Sequence, residues 1–162
     1  MPSRQNNQNR LGNDHTGDAL AMLTEEHQRV RDLFQEYAVA RDPRAQRVIA
    51  EEACTEIALH AQVEEEMLYP AVADAVEVER QECVEDSLRE HQAMKEVMRA
   101  LREMGPDDTQ FAAKFHALQV LVEQHVAKEE AEMFPLAQEI LAEDLDEMKD
   151  AMQELKADLQ GS

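Results

Sequence analysis

The sequence predicts an all-α protein, a bundle of four helices followed by an amphipathic fifth helix. The 162 residues include only four glycines, five prolines and no tryptophan, whereas the helix-favouring residues Ala, Leu, Glu, Gln and Met are abundant. Apolar residues recur every three or four positions along most of the chain, as they do on the buried face of a helix. A chain of this length can bury one core, so we expect a single domain.

The charge and the cysteines exclude several classes of function. With 36 acidic and 16 basic residues the formal net charge is -20, which would repel nucleic acids and anionic membrane surfaces. The polar first residues contain no apolar signal segment, and no apolar run approaches the roughly 18 residues of a membrane span. Cys54 and Cys83 have no CxxC spacing and are expected to be free thiols in a reducing compartment. The sequence therefore predicts a cytoplasmic protein.

A polar tail precedes the first two helices. Residues 1–17 show no periodicity and are expected to be disordered. The first helix should end at the turn around Pro43, and the second should begin near Arg44. Pro70 predicts a kink or an irregularity close to the end of the second helix, which we expect within residues 70–78.

Three further helices complete the predicted architecture. The third should end at Gly105, the clearest turn signal in the chain. The fourth shows an almost unbroken three-four rhythm from Phe111 to Leu136, made of apolar residues together with His125, Glu129 and Glu132. We expect the bundle to occupy residues 18–141 and the fifth helix to lie within 142–162, where it would cap the bundle or bind a partner, including a second copy of the chain.

Two segments of the sequence occur twice. EHQ at residues 26–28 recurs at 90–92, and HAQVEEEMLYP at 60–70 recurs as HVAKEEAEMFP at 125–135, with offsets of 64 and 65 residues. Such a duplication predicts two similar helical hairpins related by a pseudo-twofold axis. Each hairpin would supply one His from its first helix and a His-x-x-x-Glu pair from its second.

The repeated His and Glu residues can face one point in the bundle core. Their distances from the two predicted turns place the four histidines within about four residues, or roughly 5 Å, of one level. In His-x-x-x-Glu the two side chains lie about 40° apart around the helix and one turn apart along it. The candidate metal ligands are therefore His27, His60, Glu64, His91, His125 and Glu129.

These donors suit a pair of metal ions. Imidazoles and carboxylates without thiolates favour iron or manganese, and zinc is a further alternative. Two histidines for each ion, two shared glutamates and one solvent-derived bridge would provide about five donors for each ion and leave one position open to a small ligand. A single core His is most often a hydrogen-bonded residue without a metal, but six such groups without a cation would be a costly unsatisfied core.

The repeated segments carry a resemblance to a known family. The set EHQ, HAQVEEEMLYP, EHQ and HVAKEEAEMFP, within residues 18–138, resembles the hemerythrin-like (HHE) cation-binding domain. This resemblance implies an up-and-down antiparallel four-helix bundle with a non-haem di-iron centre. It also implies that His27 and His60 bind one iron ion, that His91 and His125 bind the other, and that two glutamates bridge them.

The chain also departs from the oxygen-carrying hemerythrins. Lys95 stands where those carriers have a second histidine on the third helix, and Glu129 falls one position before their aspartate. The symmetric sites resemble instead those of hemerythrin-like proteins linked to iron sensing, oxidative or nitrosative stress and iron-sulfur repair. We expect a di-iron centre that binds or reacts with dioxygen, peroxide or nitric oxide. The alternatives are iron or oxygen sensing, iron storage or iron donation without turnover, and a structural bundle with incidental metal.

Several polar residues near the repeated segments have open roles. Glu130 could replace Glu129 as a ligand, although it lies about 140° from His125 around the helix. Glu132 is an extra or alternative ligand, or else an ion-pair partner of a basic residue. Lys95 could hydrogen-bond a metal-bound species or extend into solvent. The remaining histidines, His15 and His116, are expected to be solvated.

Overall fold

The structure is a computed structural model that describes residues 17–105 and 107–161. In these residues it contains helices and turns and no strand, which confirms the all-α prediction. The predicted disordered tail lies, apart from Gly17, outside the described residues. Within the described part of the chain, no helix is long and apolar enough to cross a membrane.

The helices follow the predicted order, with two interruptions. In chain order the elements are α1 (Ala19–Val39), α2 (Pro43–Val63), a π-helical turn (Glu64–Leu68), α3 (Tyr69–Ala75), a 3-10 turn (Val78–Arg80), α4 (Glu82–Glu103), α5 (Phe111–Lys128), a second π-helical turn (Glu129–Met133), α6 (Phe134–Ile140) and α7 (Leu145–Gly161). The first bundle helix is α1, the second runs through α2 and α3, the third is α4, and the fourth runs through α5 and α6.

Short polar side chains mark the helix starts that the sequence indicates. The Asp18 carboxylate accepts a hydrogen bond from the backbone N–H of Ala21 at 3.0 Å, which caps α1. Asp42 caps α2, and Pro43 occupies its first turn, where a missing N–H costs no hydrogen bond. The turn predicted around Pro43 therefore separates the first two bundle helices.

The irregularity predicted near Pro70 is a π-helical turn just before it. The backbone N–H of Tyr69 bonds to the carbonyl of Glu64, five residues earlier, so the turn is one residue wider than an α-helical turn. The fourth helix has the same interruption, since Phe134 N–H bonds to Glu129 O. The nearly unbroken rhythm of that helix did not predict it. Both wide turns begin at a candidate ligand.

The core consists of two apolar clusters on either side of the level that contains the repeated histidines. Along α1, Leu23 belongs to one cluster and Val30 to the other, with His27 between them. Helix α7 packs against α1 and α2, and its Leu145 and Met152 are buried in the first cluster. Its apolar face therefore covers the bundle of its own chain.

Candidate metal centre

The six predicted ligands meet in the core between the two apolar clusters. His27 lies on α1, His60 on α2, His91 on α4 and His125 on α5, while the glutamates begin the two π-helical turns. Five of the six residues are at most 3% exposed, and the His60 side chain is 11% exposed. The sequence estimate that the four histidines share one level of the bundle is therefore confirmed.

The donor atoms form two groups that share both glutamates. One group contains His27, His60, Glu64 and Glu129, and the other contains Glu64, His91, His125 and Glu129. Within each group the donor atoms lie within 4.8 Å of one another. The Nε2 atoms of the two histidines are 3.1 Å apart in each group.

The glutamates lie between the histidine pairs. Glu129 Oε1 is 3.2 Å from His27 Nε2, and its Oε2 is 3.2 Å from His125 Nε2. Glu64 Oε1 is 3.2 Å from both His60 Nε2 and His91 Nε2. Each carboxylate thus faces one histidine of either pair, as a carboxylate that bridges two ions must.

Outer carboxylates set the tautomers of three histidines. His60 Nδ1 donates to Glu26 Oε1 at 2.7 Å, and His125 Nδ1 donates to Glu90 Oε1 at 2.7 Å. His91 Nδ1 donates to Glu65 Oε2 at 3.0 Å. Because an ionised carboxylate only accepts hydrogen bonds, the proton of each neutral ring stays on Nδ1, and Nε2 presents its lone pair to the centre.

Several hydrogen-bond acceptors face one another at the centre. The lone pairs of His91 and His125 converge at the 3.1 Å separation of their Nε2 atoms, which is unfavourable unless a proton or a cation lies between them. Glu64 Oε2 and Glu129 Oε1 are buried without a hydrogen-bond partner in the described residues, although buried polar atoms are normally paired. Cations at the centres of the two groups would satisfy these atoms, so the residues fit a pair of metal ions.

The same carboxylates shift the pKa values of the histidines. Burial alone would lower the pKa of His60, but Glu64 and Glu26 outweigh it and raise that pKa well above its usual value. Burial also opposes the charged form of His125, yet Glu129 raises its pKa to about 9. In the metal-free protein the negative potential of the centre therefore favours protons on the imidazoles, and a bound metal ion would replace them.

Tyr69 is a residue of the centre that the sequence analysis missed. Its phenol donates to Glu129 Oε2 at 2.5 Å and lies 3.2 Å from Glu64 Oε1 and from His91 Nε2, and 3.5 Å from His125 Nε2. Burial and the two carboxylates raise the pKa of Tyr69 far above its usual value, so the phenol keeps its proton in the metal-free centre. The repeat contained a signal, because Tyr69 in the first copy corresponds to Phe134 in the second.

This Tyr-Phe difference makes the two groups unequal. The Phe134 ring stacks on His27 with a centroid separation of 5.6 Å and an interplanar angle of 3°. The phenol oxygen of Tyr69 instead lies beside the His91 and His125 pair. One histidine pair therefore has an apolar ring next to it, and the other has a hydroxyl group.

The residues with open roles lie outside the two donor groups. Glu130 Oε2 is 3.6 Å from His27 Nδ1 and 3.8 Å from Arg31, so it stands behind the histidine. Lys95 donates to Glu65 at 2.8 Å and does not reach the centre. Glu132 is exposed.

The two remaining histidines are not part of the centre. His116 is exposed, as predicted. His15 lies outside the described residues.

A small cavity adjoins the four histidines. Its volume is about 20 Å³, and its other walls are apolar, formed by Val30, Ile57, Ala61, Met94, Val122 and Val126. A cavity needs roughly 10–15 Å³ of such volume to hold one water molecule. The space beside the centre is therefore sufficient for a molecule slightly larger than water.

The fold and the centre define a helical bundle that could hold cations between its helices. The family model for the hemerythrin HHE cation binding domain matches residues 18–137, and the chain belongs to this family. No curated protein matches the chain. Among solved structures, the chain is similar to a hemerythrin HHE cation binding domain-containing protein from Mycobacterium kansasii, with a TM-score of 0.76 and 19% identity over 89% of this chain and 88% of that one. At this identity the likeness concerns the fold.

Proposed function

We propose that the chain holds two iron ions in the core of its bundle and that this di-iron centre binds or reacts with a small oxidant. The observation that carries the proposal is the pair of buried donor groups sharing Glu64 and Glu129. The ion at the first position would take His27 and His60 as its own ligands. The ion at the second position would take His91 and His125. The assignment agrees with the membership of the chain in a cation-binding family.

The chemistry of the donors favours iron or manganese, and membership of the hemerythrin family supports iron. Each position offers two imidazoles and two shared carboxylates and no thiolate, a set that suits iron or manganese better than structural zinc. A bound pair of irons would supply Lewis acidity and electrons to an oxidant. The protein residues orient the donors through the outer glutamates, and Tyr69 offers a proton donor beside the second position.

The size and lining of the adjacent cavity support a small ligand. About 20 Å³ bounded by apolar side chains and the four histidines matches a ligand of the size of dioxygen, nitric oxide or peroxide. The apolar walls also limit the access of bulk water to the centre. We therefore propose dioxygen, peroxide or nitric oxide as the ligand class, and a role in the response to oxidative or nitrosative stress.

A second candidate function is iron or oxygen sensing without turnover. It is favoured by one contact, in which Lys156 of the fifth helix donates to Glu26, the outer partner of His60. Metal occupancy would then be linked to the position of that helix. We propose that residues 18–141 form the metal-binding bundle and that the helix within 142–162 is an accessory to it.

The test begins with anaerobic loading of the full chain with ferrous iron. We expect about two irons per chain, followed by consumption of peroxide or nitric oxide when either is added in excess. Glu129→Gln should abolish both results, whereas Glu132→Gln, an exposed residue one turn away, should match the wild type. Fewer than one iron in the wild type, or equal consumption by both variants, would contradict the di-iron proposal. Iron binding followed by stoichiometric oxidation without turnover would favour the sensor.

A further inference from the structure

The fifth helix reaches the centre through one charged side chain. Lys156 on α7 donates to Glu26 Oε2, and Glu26 Oε1 accepts from His60 Nδ1 at 2.7 Å. The side chains of Lys156 and Glu26 are 24% and 12% exposed, so water screens this ion pair less than one on the open surface. The C-terminal helix is thus two contacts away from a proposed iron ligand.

The other half of the molecule builds the same arrangement without α7. Glu90 holds His125 as Glu26 holds His60, at the same 2.7 Å. Its cation is Lys128, which lies three residues after His125 on the same helix. Lys128 Nζ is 3.5 Å from Glu90 Oε2 and donates a hydrogen bond to Asp86 Oδ2 at 3.2 Å, so Glu90 shares this cation with Asp86. The equivalent position in the first half is Val63, which is fully buried in the apolar core. The first half therefore has no basic residue at this position.

His27, the other proposed ligand of the ion at the first position, is held less firmly than its counterpart His91. His91 Nδ1 donates to Glu65 at 3.0 Å, and Lys95 supports that glutamate. Around His27 the corresponding residues are Glu130 and Arg31, but the two are 3.8 Å apart, and Glu130 Oε2 is 3.6 Å from His27 Nδ1. That nitrogen has no hydrogen-bond partner among the described residues. Of the two histidines at the first position, His60 is thus the one with a hydrogen-bonded anchor.

We propose that Lys156 is a positioning residue for the iron bound by His27 and His60, so that retention of this ion, and not of the second, depends on the C-terminal helix. This inference rests on the proposed di-iron function. The physical reason is that a carboxylate behind a ligating imidazole orients the ring and strengthens it as a donor. Lys156 neutralises Glu26 and keeps its carboxylate turned toward His60. Without Lys156, Glu26 is free to turn toward water, and His60 loses its support.

The experiment compares Lys156→Met with the matched variant Lys128→Met in the full chain loaded with ferrous iron. Release of iron to a chelator in excess should show two phases in the wild type. Loss of an outer-shell partner typically costs 10- to 100-fold in metal affinity. Lys156 lies one contact beyond such a partner, so we expect Lys156→Met to accelerate one phase by several-fold, up to about 10-fold. Lys128→Met should accelerate the other. Glu26→Gln should act on the same phase as Lys156→Met, and Lys156→Arg should restore the wild-type rate.

Two controls, together with the iron content of the wild type, distinguish a failure of the Lys156 inference from a failure of the di-iron proposal. Lys149→Met alters the same helix at a lysine that forms no ion pair with any described residue, and it should leave both phases unchanged. Circular dichroism of the metal-free variants should show the wild-type helix content. If the wild type retains two ions but Lys156→Met accelerates neither phase, or both equally, the inference is wrong and the di-iron proposal stands. If the wild type retains no iron, both are wrong.

Discussion

Glu129 belongs to both donor groups, so its replacement tests whether the two ions share ligands. Its two oxygens are each 3.2 Å from a histidine of a different pair, His27 and His125. Glu129→Gln keeps the size of the side chain and removes the charge that both ions would use. His125→Gln, in contrast, removes a ligand of the second position alone. We expect about two irons per chain in the wild type, about one in His125→Gln and fewer than ~0.5 in Glu129→Gln, because the first substitution removes a donor of one ion and the second a donor of both.

The size of the effect follows from the number of contacts that are lost. Loss of an outer-shell partner costs 10- to 100-fold in affinity, so loss of a direct, charged donor should cost about 1,000-fold, or ~4.1 kcal/mol, for each ion. At a free iron concentration near 100 times the dissociation constant, each bound ion stabilises the fold by ~2.7 kcal/mol. Two ions should then raise the Tm of a chain of this size by roughly 10–20 °C.

Calorimetry and iron analysis of the same samples provide the assay. The wild type should show the full rise in Tm on anaerobic loading, His125→Gln about half of it, and Glu129→Gln almost none. The reasoning would be refuted if Glu129→Gln kept one tightly bound iron, because the carboxylate would then serve a single ion. It would also be refuted if His125→Gln and Glu129→Gln lost equal amounts of iron.

Three further predictions concern the phenol, the protons and the fifth helix. Tyr69→Phe should change the Mössbauer spectrum of one iron more than that of the other, because the phenol contacts both shared glutamates but lies beside only His91 and His125; identical changes at both irons would contradict this. Iron binding should release protons, and iron affinity should rise between pH 6 and pH 8, because the pKa of His125 in the metal-free protein is raised from 6.5 to about 9; titration calorimetry in buffers of different ionisation enthalpy measures the release, and a pH-independent affinity would refute it. The stability of the metal-free protein should change with pH in the opposite direction to the iron affinity. The raised pKa of His125 contributes stability that is complete below pH 6.5 and is lost as the pH rises through about 9. Met152→Ala, at a position with no exposure, should lower the free energy of unfolding by about 2–5 kcal/mol, and a loss below ~0.5 kcal/mol in denaturant titrations would show that α7 is not part of the core.

The bundle and its six candidate ligands could be predicted because periodicity and duplication encode them locally. A His and a Glu four residues apart share a helix face whatever the rest of the chain does, and the second copy of the motif indicates which His and Glu residues belong together. The structure brings these six residues to one level. The π-helical turns had no such signal, because the segments that begin at Glu64 and Glu129 are as compatible with an α-helix as with a wider turn.

The sequence contains the glutamates that hold the histidines, but it does not indicate which histidine each glutamate contacts. Glu26 and Glu90 stand directly before His27 and His91 in the sequence, yet each holds a histidine of the neighbouring helix. Such pairings depend on the rotation of one helix against another, which periodicity does not report. The contacts of Tyr69 could not be predicted either, because a pattern of apolar positions predicts only that this residue lies in the core.

The sequence by itself determined the helical class, the two-hairpin organisation and the chemistry of the donors, since these follow from composition, spacing and repetition along one chain. The tertiary structure decided which atoms face one another: the sharing of both glutamates, the phenol of Tyr69 beside one histidine pair, and the contact of Lys156 with Glu26 across 130 residues. Contacts of that kind arise from the packing of whole helices and are not encoded in any local segment. They make the two halves of a duplicated sequence chemically different.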